Sequence, residues 1–281
     1  MERENNNPGG DKGSLRPGGG FAVNQNERRI YLIRALLEES GRSRDVRIPE
    51  DEDGQRRLLR GLMNVRMPKT ADGEFLAVQD EYLSEEIRRR GITELSSLTP
   101  VREGLYIWQG DITTLRCDAI VNAANSGLTG CYIPNHGCID NCIHTYAGIQ
   151  LRLKCAELIE AQGFDEPAGR AKITPAYNLP CRYVIHTVGP VVTGTVTRKD
   201  KELLTSCYRS CLELAAASGL ESIAFCCIST GVFCFPNDEA AHCAVSCVEE
   251  FMKKESGIKK VVFNVFKDAD REIYRHLLRT G

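Results

Sequence analysis

The chain has 281 residues, of which 42% are hydrophobic and 26% charged, a balance that is ordinary for a globular protein with a buried core. Its 36 Lys and Arg residues nearly balance 38 Asp and Glu residues, and the resulting net charge of −2 argues against a dedicated duplex-DNA binder. The 13 cysteines are too sparse for a disulfide scaffold, and their odd number excludes complete pairing within the chain.

The first segment of the chain is rich in Gly, Asn and Pro and contains almost no large apolar side chain, which predicts a disordered tail over residues 1–24. This segment lacks the apolar stretch of a secretory signal. The sequence also contains no run of 18 apolar residues, so no membrane span is predicted. We therefore expect a cytoplasmic protein whose cysteines are thiols, metal ligands or catalytic groups.

The next segment has a helical pattern. Apolar residues recur at helical spacing in 28–39 and again in 56–66, and a third helix is predicted from about Leu76 to Arg90. These helices predict a helical N-terminal region over 25–98, whose plainest role is to pack on the domain that follows it.

From residue 99 to residue 281, short apolar strands alternate with amphipathic helices. Strands are predicted within 105–112, 117–125, 171–177, 183–190, 222–229 and 259–266, and helices over 139–161, 200–218, 237–254 and 269–279. Because several strands are apolar throughout, the pattern predicts a three-layer α/β/α domain with a mixed, mostly parallel sheet covered on both faces.

Ligands of such sheets bind beyond the carboxyl ends of the strands, which directs attention to four loops. These are 110–113, 122–141, 229–237 and the residues after 264–266. The second loop is rich in Gly and polar residues and leads into a helix, whose free N–H groups and dipole suit a phosphate. Together with the Gly-containing third loop it could clamp a diphosphate, although a plain surface loop is the alternative.

Cys131, His136 and Cys138 lie within eight residues of one another, and thiolate and imidazole are preferred zinc ligands. Three ligands leave the fourth tetrahedral position open, as in catalytic zinc sites, whereas a zinc finger would need a second half-site. A chance grouping in a cysteine-rich chain is the alternative. The neighbouring Cys142 and His144 are interpreted as packing and structural residues.

Four segments carry a family resemblance: GDIT (110–113), CDAIVNAANSGL (117–128), IDNCIHTYAG (139–148) and ISTGVF (228–233). In this order they resemble the macrodomain, an ADP-ribose-binding α/β/α module. The insert CYIPNHGC (131–138) and the segment RRLLRGLMNVR (56–66) resemble the zinc-containing macrodomains that act as protein-ADP-ribose hydrolases. This resemblance covers about residues 27–281.

The resemblance implies that the first and last loops bind the adenine. Asp111 would accept a hydrogen bond from the amino group of the base, with the backbone of Ile112 beside it. Phe266 could stack on the adenine. The structural alternatives are a turn position for Asp111 and a core position for Phe266.

The resemblance also implies that the two middle loops bind the phosphates and the distal ribose. Asn125 would contact ribose hydroxyls, Asn122 would border the ribose or bond the loop backbone, and Asp140 would lie beside the ribose or cap its helix. Asn125 and Asp140 are the predicted catalytic residues. The other predicted binding residues are Cys138, Ile139, Ser229, Thr230, Gly231, Val232 and Phe233.

Taken together, the resemblance implies hydrolysis of mono-ADP-ribose from a protein side chain at C1″ of the distal ribose. One zinc ion on Cys131, His136 and Cys138 would either activate water or position the ribose. The alternatives are an ADP-ribose-binding reader module with a structural zinc, and a phosphatase on the same fold. The family context suggests a lipoyl-carrier protein modified by a sirtuin-like transferase as the acceptor, with neither DNA nor a membrane as a partner.

Overall fold

The fold of residues 24–280, which this computed structural model describes, is built around a six-stranded sheet. The strands between residues 24 and 280 are β1 (Thr93–Glu94), β2 (Leu105–Gln109), β3 (Leu115–Arg116), β4 (Ala119–Ala123), β5 (Ala171–Pro175), β6 (Tyr183–Thr187), β7 (Ser222–Phe225) and β8 (Lys260–Val265). The sheet has the order β2-β8-β7-β4-β6-β5, and β5 alone runs antiparallel to its neighbour. The carboxyl ends of β2, β8, β7, β4 and β6 therefore meet at one edge.

Helices cover both faces of this sheet. They are α1 (Gln25–Glu39), α2 (Glu52–Val65), α3 (Gly73–Arg90), α4 (Ile139–Ala147), α5 (Ile149–Gln162), α6 (Arg198–Ala217), α7 (Asn237–Met252) and α8 (Asp268–Thr280). Ala119, Ile120 and Val121 of β4 are all fully buried, and successive strand residues face opposite sides, so both sides of the central strand are covered. The predicted three-layer α/β/α fold with a mostly parallel sheet is confirmed.

The N-terminal helices pack around an apolar cluster of their own. Leu32, Leu36, Leu59 and Phe75 are buried in it, and Ile149 of α5 joins them from the sheet domain. Asn24 caps α1 through a reciprocal pair of hydrogen bonds with Glu27, which explains where the first helix begins. The rest of the predicted tail lies outside the described residues.

Three local features differ from the sequence-based expectation. The helix predicted over 139–161 is two helices, because Gly148 has a φ of +98° and breaks the hydrogen-bonding pattern between α4 and α5. The third helix begins at Gly73, capped by Asp72, rather than near Leu76. The short parallel pair of β1 and β3, with Thr93 opposite Leu115, was not predicted because two-residue strands leave no periodic pattern.

No helix between residues 24 and 280 combines the length and the apolar character that a membrane crossing requires.

The helical region is joined to the sheet domain by a buried arginine. Arg152 of α5 is 5% exposed, and its Nη1 donates to the carbonyl oxygens of Met63, Asn64 and Arg66 at 3.3, 2.6 and 2.6 Å. These carbonyls lie at the carboxyl end of α2, where a helix lacks donors of its own and where a positive charge is favoured. The Arg152 side chain, which belongs to α5, thus caps the carboxyl end of α2.

Arg152→Met is expected to lower the free energy of unfolding by about 2–3 kcal/mol, because it leaves buried carbonyl groups without donors. Denaturation with urea would measure this loss. Lys154→Met on the exposed side of the same helix, where Lys154 pairs with Glu157 at the surface, is the control, and it should change stability by less than about 1 kcal/mol. Equal effects of the two substitutions would contradict this role of Arg152.

Candidate functional site

The exits of β2, β4, β7 and β8 bring most of the predicted site residues to one edge of the sheet. Asp111 follows β2, the loop from 124 to 138 follows β4, and Phe266 follows β8. The segment from Ser229 to Phe233 follows β7. The parallel arrangement of the sheet, rather than proximity in sequence, therefore assembles this candidate site.

Asp111 is held in place by donors on two sides. Its Oδ1 accepts from the backbone N–H and the hydroxyl of Thr113 at 2.9 and 2.6 Å, and its Oδ2 forms an ion pair with Arg90. The Arg90 guanidinium lies 3.7 Å above the ring of Tyr146. Asp111 therefore is a turn residue, yet 40% of its side chain is exposed and a ligand can reach it.

Asp140 is the most deeply buried carboxylate of the site, with 5% of its surface exposed. Asn122 Nδ2 donates to it at 2.8 Å and Asn125 Nδ2 at 3.4 Å. Burial raises the pKa of Asp140 to about 6, against the opposing effect of the Asn122 hydrogen bond. The capping alternative for this residue is wrong, because Cys138 is the N-cap of α4 and its Sγ accepts from the Asn141 N–H.

Behind Asp140 lies a buried chain of hydrogen bonds that the sequence did not indicate. Asn122 is fully buried and contacts His186 Nδ1 at 3.2 Å, and His186 Nε2 contacts the Thr174 hydroxyl at 3.0 Å. Because the Asn122 amide can only donate to His186, the ring is neutral and carries its proton on Nε2. Burial lowers the pKa of His186 to about 3, which agrees with a neutral ring.

The loop after β4 is shaped by Asn125. Its Oδ1 accepts from the Gly127 N–H at 3.1 Å, and its Nδ2 donates to the Gly130 carbonyl at 3.1 Å. Gly130 has a φ of +83°, and a Cβ there would lie 2.8 Å from the ring of His144, so only glycine fits. The buried His144 is thus a packing surface for this loop.

The loop after β7 exposes backbone donors. Ser229 is buried with a φ of +65°, and from there the chain turns outward. The N–H groups of Gly231, Val232 and Phe233 have no hydrogen-bond partner among residues 24–280. Such a run of free N–H groups is suited to an anion.

Two hydrophobic side chains of these loops are exposed to an unusual degree. Val232 is 73% exposed and Phe266 is 78% exposed, so the core alternative for Phe266 is wrong. By contrast, Ile112 is 1% exposed, which leaves only its backbone for contact with a ligand. An exposed aromatic ring at the end of β8, the strand that pairs with β2 before Asp111, is a suitable stacking surface for a base.

Cys131, His136 and Cys138 come together as a possible metal site. Their ligand atoms all lie within 4.8 Å of one another, and Cys131 Sγ is 3.4 Å from His136 Nδ1. Burial raises the pKa of the Cys138 thiol, so a thiolate at this position requires a nearby cation. The donor set and its spacing therefore fit a zinc ion.

Cys142 is not part of this group, in agreement with its interpretation as a packing residue. A second buried group, His144, Cys155 and His186, also has its ligand atoms within 4.8 Å. Both ring nitrogens of His186 are already used by Asn122 and Thr174, so this group is assigned to the core.

A family model and the sequences of known proteins both identify this chain as similar to macrodomain proteins. Residues 121–244 match the family model described as the Macro domain. A protein-ADP-ribose hydrolase from Treponema medium is 56% identical over 260 residues, which cover 91% of this chain and 100% of that relative. A protein of the same name from Staphylococcus aureus is 50% identical over 247 residues, which cover 87% of this chain and 92% of that relative.

Solved structures agree with this result. The Trypanosoma brucei macrodomain in complex with ADP-ribose matches with a TM-score of 0.61 and 29% identity, covering 78% of this chain and 94% of that chain. The Oceanobacillus iheyensis macrodomain with ADP matches with a TM-score of 0.58 and 38% identity, covering 65% of this chain and 94% of that chain.

The burial of His186 generates a prediction about pH. Its folded pKa of about 3 lies below the unfolded value near 6.5, so the unfolded chain binds the extra proton and stability is lost as the pH falls below about 6.5. Between pH 7 and pH 5, the free energy of unfolding of the wild type is expected to fall by about 2 kcal/mol more than that of His186→Gln, which lacks this group. Urea titrations at several pH values would measure it.

His242→Gln, at an exposed histidine of α7, is the control for the loss of a histidine side chain. A His186→Gln variant with the same pH dependence as wild type would show that His186 does not titrate in this way.

Proposed function

The chain belongs to the macrodomain family, and from that premise we propose that it hydrolyses the bond between the distal ribose of ADP-ribose and an acceptor side chain of a modified protein. The observation that carries the proposal is the buried Asp140 carboxylate beside Asn125, at the same strand edge as two loops that can hold a diphosphate. Protein-ADP-ribose hydrolases that are 50–56% identical over most of this chain support it.

We propose that the ligand lies across the strand edge from β8 to α4. Asp111 would accept from the adenine amino group, and the exposed Phe266 would stack on the base. The free N–H groups from Gly231 to Phe233, together with the start of α4, would bind the diphosphate. A nucleotide held at these points directs the distal ribose toward Asn125 and Asp140, which supplies orientation for the reaction.

In this proposal Asp140 is the general base. The buried carboxylate would accept a proton from an attacking water, and Asn125, which donates to it at 3.4 Å, would orient the ribose or the water. Asn122 contacts Asp140 from behind, so we assign it to holding the carboxylate in position. Its complete burial favours this role over direct contact with the ribose.

We propose that Cys131, His136 and Cys138 hold one zinc ion. Bound there, zinc would supply a Lewis acid near the distal ribose, and its two thiolate ligands favour positioning of a hydroxyl over strong activation of water. The three candidate ligands precede Asp140 by two to nine residues in the sequence, so the loop and the carboxylate are at the same end of α4.

The decisive experiment is incubation with proteins that carry defined mono-ADP-ribose linkages, with and without a zinc chelator. We propose a lipoyl-carrier protein modified by a sirtuin-like transferase as the first acceptor to test. Release of free ADP-ribose that is lost with the chelator is the expected result. Binding without release would identify a reader module, and release of inorganic phosphate would identify a phosphatase.

Cys131→Ser is expected to abolish this release, because it removes one zinc ligand. Cys243→Ser, at a half-buried cysteine on α7 outside the site, should remain active and is the matched control. The assay is release of free ADP-ribose, measured by chromatography. Full activity of the Cys131→Ser variant, or of metal-free protein, would eliminate the zinc-dependent mechanism.

Phe266→Ala is expected to weaken the binding of free ADP-ribose by roughly 5- to 100-fold, the range that base stacking on an aromatic ring supports. Calorimetry would measure the dissociation constant. Tyr177→Ala is the control, because Tyr177 follows β5 at the opposite edge of the sheet, where Pro175 pairs with the first residue of β6. Unchanged affinity in the Phe266 variant would remove the stacking role.

A further inference from the structure

Helix α2 of the N-terminal region reaches the loop from 131 to 138, which holds the candidate metal ligands. Arg60 Nη2 donates to the carbonyl oxygen of His136 at 2.8 Å and to Asn141 Oδ1 at 2.9 Å. Its Nε also donates to Asn141 Oδ1, at 3.3 Å. Arg60 thus holds the backbone of one candidate ligand directly, across 76 residues of sequence.

Asn141 extends this hold to the other two candidate ligands. Its Nδ2 donates to the carbonyl oxygens of Cys131 at 3.3 Å and Ile133 at 2.9 Å, while its backbone N–H donates to Cys138 Sγ at 3.4 Å. Asn141 is fully buried, so water cannot replace these bonds. Because its Oδ1 is fixed by Arg60, the amide cannot turn over, and both Nδ2 hydrogens remain directed at the loop.

A third contact from α2 fixes the middle of the loop. Asn64, one turn beyond Arg60, accepts from the N–H of Asn135 at 2.9 Å and donates to the Thr145 hydroxyl at 3.0 Å. Asn135 has a φ of +56°, a conformation that needs such support in a residue other than glycine. Gly61 lies between these two helix residues, and a Cβ there would be 3.3 Å from Asn135 Nδ2.

We propose that Arg60 is a positioning residue for the metal site: through Asn141 and the His136 carbonyl it pre-organises Cys131, His136 and Cys138 for zinc. The inference rests on the proposed zinc site. Residues that orient metal ligands without touching the metal contribute strongly to affinity, because the unsupported loop must be ordered when the ion binds. The guanidinium also lies 3.5 Å from Cys142 Sγ, so its positive charge is next to the metal-binding loop.

The test measures zinc affinity instead of turnover. Competition with a chromogenic chelator gives the zinc dissociation constant of the full chain, and Co²⁺ substitution reports the thiolate ligands by their charge-transfer absorption. Arg60→Met keeps the apolar stem but removes every donor, and it is expected to weaken zinc binding roughly 10- to 100-fold. Arg60→Lys is expected to fall between Met and wild type, because one ammonium group cannot reproduce the planar fork of donors.

Arg57→Met is the matched control, since Arg57 is exposed on the same helix, and its zinc affinity should equal that of wild type. Circular dichroism and urea denaturation of the metal-free variants would show whether they fold. If Arg60→Met does not fold, Arg60→Lys carries the test, with a measurable loss of zinc affinity as the expected result.

The outcomes separate this inference from the proposed function. If wild type binds zinc and a folded Arg60 variant binds it equally well, the inference is overturned while the zinc site stands. If wild type binds no zinc, the metal site itself is overturned, and the inference with it. If zinc affinity falls in the Arg60 variants but wild type releases no ADP-ribose, the positioning role holds and the hydrolase proposal fails.

Discussion

The site depends on a carboxylate that is buried at the start of a helix. Removing Asp140 from water disfavours its charged form, in agreement with its raised pKa. Neighbouring polar groups must therefore offset the free-energy cost of burying the charge. Asn122 and Asn125 donate to it, and the first turn of α4 favours a negative charge. Asn122, one residue before the end of β4, thus lies beside the first turn of α4, and this contact links the β4 exit to the helix that carries Asp140.

His186 adds a second level of support. It lies on β6, the neighbour of β4, where Asn122 and His186 are opposite each other in the parallel register. The neutral ring takes one hydrogen of the Asn122 amide, and Asp140 takes the other. The amide is thereby kept in one orientation. A polar chain inside the core costs stability, but the Asn122 amide finds an acceptor on each side, which holds the carboxylate in place.

The sequence was sufficient where the signal is local. The alternation of apolar strands and helices predicted the fold class, which is confirmed. The spacing of Cys131, His136 and Cys138 predicted a group of side chains whose ligand atoms lie within 4.8 Å of one another. The break at Gly148 was missed because the apolar pattern continues across it. The partners Arg60 and Arg90 were missed for another reason: each contacts a residue 21 or more positions away, and one arginine among several on a helix looks like any other surface charge. Burial of Asn122 and exposure of Phe266 likewise depend on the packed sheet.

The N-terminal helices now have a role beyond covering the sheet domain. Arg60 of α2 donates to the loop from 131 to 138, and Arg90 at the end of α3 forms an ion pair with Asp111. The N-terminal region therefore contacts both the ribose end and the adenine end of the proposed ligand site. The start of α4 couples these functions, because Cys138 caps the helix and Asp140 lies in its first turn. A metal bound by Cys138 would therefore lie close to the carboxylate, because both residues belong to the start of the same helix. The loop, by contrast, has no regular structure of its own, and this is where support from α2 is required.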